Sequence, residues 1–235
     1  MLCSRHISFL TEKHNLLPKT KFGRRPGRNT TNTMMLVNHK IKDAWRSGKV
    51  TAVLFLDVQG AFPNMVKEQL IHNMRARQVP ECFINITQAF LTGQSTCLKF
   101  DDYLSRPLPF GNGTTQGDPS SMLYYLFYNA PLISTATSDD KLSPGFVDDS
   151  MMLAMGNSLR QCHEKLKDMM ERPGGFEWSY MHNSPLELSK TELENFPRLH
   201  RNSDPGILTL DKPNPDVTVM PSSLRPVCYG SVRKL

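Results

Sequence analysis

Apolar residues recur along this chain in two different periods. After Asn29-Thr30-Thr31, which offer helix caps, Met34, Val37, Ile41 and Trp45 follow at three- to four-residue spacing and predict a helix to about Arg46. The same period predicts a helix carrying Val66, Leu70 and Met74 with Asn64 as its cap, and another opened by Pro80 with Phe83, Ile86 and Phe90 on its face. Ser158 and Gln161 form a capping box for a helix presenting Leu159, Cys162, Leu166 and Met170 and closed by Gly174. Residues 5 to 14 and Pro119 to Tyr128 also read as helices, the second buried and ended by Pro131. By contrast, Thr51 to Leu56 is a short unbroken apolar run, the signature of a strand buried on both faces, and it delivers Asp57 at its carboxyl end. Residues 95 to 111 and Pro144 to Ala154 read as hairpins, and Leu16 to Arg28 as a basic loop punctuated by Gly and Pro.

In chain order this gives strand, two helices, hairpin, helix, hairpin, helix. Such an order predicts an α/β chain of the α+β kind, an antiparallel sheet with helices on one side, and not a doubly wound fold. With 235 residues, 39% of them hydrophobic, the chain is large enough to bury a substantial core. Three stretches differ in character: 1–50 is basic, 51–196 holds the regular elements, and 197–235 contains six prolines and reads as irregular.

Charge and cysteines narrow the classes. Residues 1–50 hold 11 Lys and Arg against Glu12 and Asp43, a balance of +9, whereas the remainder holds 17 against 20, a balance of −3. A basic segment of this kind suits a polyanion, because lysine and arginine displace counterions condensed on phosphates. The five cysteines are odd in number and contain no Cys-x-x-Cys, which argues against a disulfide framework or a zinc site. No apolar run approaches the roughly 20 residues a membrane helix needs, and the start lacks a signal peptide pattern. The expectation is an intracellular protein, in the nucleus or the cytoplasm, with no membrane partner.

The candidate chemistry lies in three places. Asp57 ends the apolar strand, with Phe62 five residues on; Gly113-Thr-Thr-Gln-Gly-Asp-Pro-Ser-Ser121 is a turn-rich loop opening a helix; and Phe146-Val-Asp-Asp149 sets two carboxylates inside an apolar hairpin. An Asp-Asp pair alone carries little, since Asp101-Asp102 and Asp139-Asp140 also occur and such pairs commonly sit in solvated turns. In order and context, however, the three segments together resemble the catalytic motifs of a reverse transcriptase palm, particularly those of non-LTR (LINE-like, fungal-type) retrotransposons. Similarity extends back through Leu16-Leu-Pro-Lys-Thr-Lys-Phe-Gly-Arg-Arg-Pro-Gly-Arg28 and covers most of residues 10 to 196.

The resemblance implies a polymerase palm at 51–196 with partial fingers at 1–50. It implies RNA-directed DNA synthesis by two-metal nucleotidyl transfer, with an RNA template, a DNA primer and dNTP as partners. Asp57 and Asp148 would bridge two Mg²⁺ ions, Mn²⁺ being a possible substitute, with the Val58 carbonyl completing one shell and Asp149 secondary. Phe62 resembles the steric gate under the incoming sugar, and Gln116 and Gly117 the residues supporting nucleotide and template. Asp118 reads equally as a plain helix cap. Arg25 and Arg28 resemble triphosphate-facing basic residues of the fingers, and Lys190 a proton donor to pyrophosphate. Lys21 departs from the family pattern, which usually has Gln before Phe-Gly. A first fingers strand and a thumb are not found, so the sequence reads as a truncated fragment; a silent remnant that at most binds nucleic acid is the alternative.

Overall fold

The computed structural model describes residues 2–198 except 116, 137, 172 and 173, together with residues 208 and 210. The expected Pro-rich tail therefore lies almost wholly outside the described residues. In chain order the elements are α1 (Leu2–Lys13), β1 (Lys21–Phe22), α2 (Thr30–Arg46), β2 (Val50–Leu56), α3 (Lys67–Ala76), α4 (Glu81–Leu91), β3 (Ser95–Thr96), β4 (Lys99–Phe100), β5 (Tyr103–Leu104) and β6 (Leu108–Pro109). There follow α5 (Pro119–Tyr128), α6 (Ala130–Ile133), β7 (Lys141–Leu142), β8 (Gly145–Phe146), β9 (Asp149–Gly156), α7 (Leu159–Glu171), α8 (Gly175–Met181) and β10 (Glu192–Phe196).

One six-stranded sheet organises the molecule, in the order β1-β8-β9-β2-β10, with β7 also paired to β9. The β2–β9 ladder is antiparallel and runs from Val50↔Gly156 to Leu56↔Ser150. Strand β2 is apolar except for the buried Thr51 because both its faces are covered. Ala52, Leu54 and Leu56 join one core with α3, α4, α5, α7 and α8, whereas Val53 joins a second core with Val37, Ile41 and Ala44 of α2 and with Met151, Leu153 and Met155 of β9. Helices thus cover both sides of the sheet unequally, where one side had been expected. Each fully buried Leu or Val in this ladder contributes about 1.5–3 kcal/mol relative to exposure.

The helix phases differ from expectation in two places. On α4 the buried residues are Ile84, Thr87 and Leu91, while Ile86 and Phe90 are exposed. On α2 the buried set is Thr33, Val37, Ile41 and Ala44, and Met34 is exposed. Helix α3 begins only at Lys67 with Val66 as an uncapped start; the Asn64 amide instead donates to the Gln59 carbonyl at 3.0 Å. Pro131 does not simply stop a helix, for it sits in the first turn of α6, where its missing N–H costs nothing. Gly174 precedes α8, a helix the pattern did not suggest, as its N-cap. The Ser158–Gln161 cap forms in part: Gln161 N donates to Ser158 Oγ at 3.3 Å, but Gln161 Oε1 accepts from Asn157 N at 2.8 Å, one residue before the N–H a capping box would use.

Helix α5 is apolar all round and buried from Leu123 to Tyr128, so it forms the spine beneath the sheet. Residues 95–109 form the expected hairpin as two nested pairings, β3–β6 and β4–β5, and this arm leaves Phe100, Tyr103 and Leu104 exposed.

Candidate active site

The β2–β9 register brings the carboxylates together. Leu56 pairs with Ser150, so the next position along the ladder sets Asp57 opposite Asp149. On the other side of β9, Phe146 pairs with Asp149, which makes Val147-Asp148 a two-residue hairpin turn. Val147 has φ +51°, a conformation that a β-branched residue adopts only when its surroundings impose it. Those surroundings are β1: Val147 N donates to the Phe22 carbonyl at 3.1 Å, and Lys21 Nζ donates to the Val147 carbonyl at 2.6 Å. Below the turn, the Asn129 amide donates to Ser150 Oγ at 3.0 Å.

Asp57 and Asp149 open onto one concavity of about 390 Å³, walled by Phe55, Phe146, Ser150 and Lys190. The Lys190 ammonium lies 2.8 Å from Asp57 Oδ2, and that bond holds its pKa above the usual lysine value. Partial burial, with Asp148 and Asp57 adding repulsion, raises the Asp149 carboxyl above the ordinary range, and Lys21 partly offsets this. Lys21 is fully buried; desolvation pulls its amine down to about 7, against the upward pull of Asp148 and Asp149. Asp57, Asp148 and Asp149 are hard oxygen donors at one end of the sheet, three carboxylates facing the two cations Lys190 and Lys21, and oxygen donors of this kind fit Mg²⁺ or Mn²⁺. Among the described residues, no three such side chains converge into a preformed cage, and Lys190 stands against Asp57 instead.

Val58 is buried and bridges to Leu186; the bridge uses the Asp57 carbonyl, which accepts from Glu187 N at 2.9 Å, and the Gln59 amide, which donates to the Pro185 carbonyl. Alternation along an extended strand turns the Val58 carbonyl the opposite way. Phe62 is half-buried and tilts against Tyr125 at 5.2 Å between ring centroids. The loop before α5 is stitched beneath it: Thr114 N donates to the Phe62 carbonyl at 3.0 Å, and Gly113 N to the Met65 carbonyl at 2.7 Å. Here the close approach falls on Gly113, where a Cβ would lie 2.6 Å from the Pro63 carbonyl oxygen; Gly117 has open space around it and φ +93°. Gln116 lies outside the described residues. Asp118 caps α5, accepting from Ser120 N at 2.7 Å, with Pro119 in the first turn.

The two arginines are differently placed. Arg25 is buried, its guanidinium forked onto Glu12 at 2.6 and 3.1 Å and donating to the Pro18 and Lys21 carbonyls. Its donors hold the basic loop together. Arg28 donates to the Lys19 carbonyl and lies 5.7 Å over the Phe22 ring, and burial with the neighbouring Arg25 lowers its pKa. Neither is brought to the carboxylates by any contact in the site. In the sequence Lys21 stands out only as a departure from the family pattern, and Asn129 carries no local signal.

Several comparisons bear on this geometry. Residues 3–192 match the model of the family described as reverse transcriptase (RNA-dependent DNA polymerase). A curated relative, the transposon TX1 uncharacterized 149 kDa protein of Xenopus laevis, is 30% identical over 102 residues, which is 43% of this chain and 8% of that protein. Telomerase from Candida tropicalis in complex with a TWJ fragment of telomeric RNA superposes with a TM-score of 0.62 at 11% identity, covering 82% of this chain and 33% of the telomerase. The apo form truncated from its C-terminal domain gives 0.61 at 12% identity, over 86% and 40%. The chain therefore spans a small part of the curated relative and less than half of these telomerases, whose likeness is one of fold. With four-fifths of its length matched, from α1 to the start of β10, this chain belongs to the reverse transcriptase (RNA-dependent DNA polymerase) family.

Proposed function

We propose that this chain carries the nucleotidyl-transfer centre of an RNA-directed DNA polymerase, extending a primer 3′-hydroxyl with dNTP on an RNA template. The observation that carries the reading is the β2–β9 register, which opposes Asp57 to Asp149 and places Asp148 in the adjoining turn. In such a reaction the 3′-oxygen bonds to the α-phosphorus as the bond to the β-phosphate oxygen breaks and pyrophosphate departs. Asp57, Asp148, Asp149 and the Val58 carbonyl are the oxygens that would hold two Mg²⁺ ions, which when bound offset charge on the reacting phosphate.

The chain's own groups do the rest. Lys190, an ammonium lining the cavity, suits a proton transfer to departing pyrophosphate. The Phe62 ring, backed by Tyr125, gives a rigid apolar wall for a sugar lacking a 2′-hydroxyl. Gln116 and Gly117, which precede α5 in sequence, support the nucleotide and template. Arg28, on the basic loop, contributes to the phosphate-attracting surface of residues 1–50; Arg25 sustains that loop through Glu12. The Xenopus relative's description as a transposon protein supports an origin in a non-LTR retrotransposon, and the RNA in the telomerase complex supports an RNA template. No helix among the described residues is long and apolar enough to cross a membrane; an intracellular setting is part of this reading.

The Asp57–Lys190 ion pair favours a second reading, a nucleic-acid-binding chain without turnover. Primer extension on poly(rA)/oligo(dT) with Mg²⁺ separates the two. Extension by the wild type and none by Asp148→Asn is the expected result; extension by both means the centre lies elsewhere.

A further inference from the structure

Lys21 has the most unusual environment of any charged residue described here. Lysine is almost never fully buried unless paired, yet this side chain has no exposure and its hydrogen bond goes to a backbone carbonyl, that of Val147. A methionine would fill the same volume without the cost of burying an amine. The carbonyl it holds belongs to the residue immediately before Asp148, in a turn whose positive φ is disfavoured for valine. The remaining backbone group of that residue, Val147 N, is held by the Phe22 carbonyl at 3.1 Å, so consecutive residues of β1 grip both the N–H and the C=O of Val147.

The grip is close-fitting. A Cβ on Gly23 would lie 2.5 Å from Val147 Cγ2, and one on Gly145 would lie 2.5 Å from Ile133 Cδ1 and 3.2 Å from Lys21 Nζ. The amine is enclosed where it lies, on a strand paired with β8 and with Gly145 close beside it. Ammonium and neutral amine both donate, so the bond persists in either form.

We propose that Lys21 is a positioning residue for nucleotidyl transfer: by holding the Val147 carbonyl it sets the turn that aims the Asp148 carboxylate, a role that rests on the polymerase reading above. The Asn129 amide reaches the same carbonyl at 3.5 Å, so the 2.6 Å bond from Lys21 is the closer of two, and displacing a reacting group by about 1 Å can cost on the order of a hundredfold in rate.

The test is Lys21→Met in the full chain, with three readouts. Amide exchange across residues 145–150 should quicken about tenfold while β2 keeps its protection. The kcat for primer extension should fall about tenfold or more, with the dNTP KM within about threefold of wild type. The thermal midpoint should hold or rise, because a buried amine has been replaced by an apolar chain. A merely structural lysine would lose stability and activity together. Unchanged kcat in a folded Lys21→Met protein, or unchanged exchange in the turn, overturns the proposal while leaving the polymerase reading intact. A wild type that fails to extend primers overturns the polymerase reading; turn exchange that is then the same in Lys21→Met as in wild type overturns the Lys21 role as well.

Discussion

Two aspartate pairs lie at opposite ends of strand β9, about 20 Å apart by strand rise, and they have opposite electrostatic surroundings. Asp140, next to the far end, ion-pairs with Lys49 at 2.7 Å and Lys165 at 3.1 Å, and its carboxyl is held below the ordinary range by those bonds. At the near end Asp149 is pushed upward by burial and by Asp148 and Asp57. The third pair, Asp101-Asp102, makes the turn between β4 and β5 on the exposed arm. One dipeptide thus serves as a clamp, a solvated turn and part of a three-carboxylate cluster. What separates the two ends of β9 is how the lysines are used: two bond Asp140 directly, whereas Lys190 bonds Asp57 and Lys21 bonds the Val147 carbonyl.

The largest expected effect breaks the contrast if it fails. Asp148→Asn should lower primer extension about a thousandfold or more and leave primer-template binding nearly unchanged, while Asp140→Asn should keep the rate within about twofold. Equal losses from both substitutions, measured in single-turnover extension, would mean the two ends do not differ in role. A second substitution extends the contrast to a buried pair: Arg25→Ala should cost about 3 kcal/mol in denaturant unfolding, because Glu12 and the Pro18 and Lys21 carbonyls lose their donor. A cost below about 1 kcal/mol would restore Arg25 as a surface residue available to phosphate.

If substrate sits at the near end and Phe62 serves as its sugar gate, that ring should discriminate sugars. Phe62→Ala should raise ribonucleotide incorporation relative to deoxynucleotide by about tenfold in competition assays, with partial retention of extension. The smallest effect is on stability against pH. Asp140 has a depressed folded pKa, so its contribution is present above its unfolded value near 4 and fades as pH falls through the folded one. Asp140→Asn should therefore cost about 1 kcal/mol at pH 7, and the difference from wild type should shrink below pH 4. Asp149 has a raised folded pKa, so the stability it confers is present at low pH and lost as pH rises through that value. Asp149→Asn should raise the thermal midpoint at pH 7 but not at pH 3, and melting curves at the two pH values check both signs.

The site was legible where the chemistry is local. The apolar run before Asp57 could only be a doubly buried strand, and Phe146 to Asp149 could only turn if its apolar flanks paired. The helix faces were less legible because threonines took core positions. On α4, Thr87 is buried with its hydroxyl donating to the Phe83 carbonyl at 2.8 Å, and this internal bond lets a polar residue replace the expected Ile86 and turns the face by one residue, about 100°. Thr33 does the same on α2 through the Asn29 carbonyl. Nothing local marks Lys21 as buried or β10 as the partner of β2, since both depend on contacts more than a hundred residues away.

That separation has a consequence in time. Strand β2 emerges from the ribosome about ninety residues before β9, its neighbour in the sheet, and β10 follows later still. At synthesis rates of about 5–20 residues per second, the segment Val50–Leu56 waits on the order of 5–20 s with both edges unpaired. An apolar, uncharged heptad in that condition is a template for pairing with other chains. The strand that later carries Asp57 into place is thus also the part of the nascent chain most in need of shelter, and yield of soluble protein should rise when synthesis is slowed by cooling or assisted by a chaperone that covers extended apolar segments.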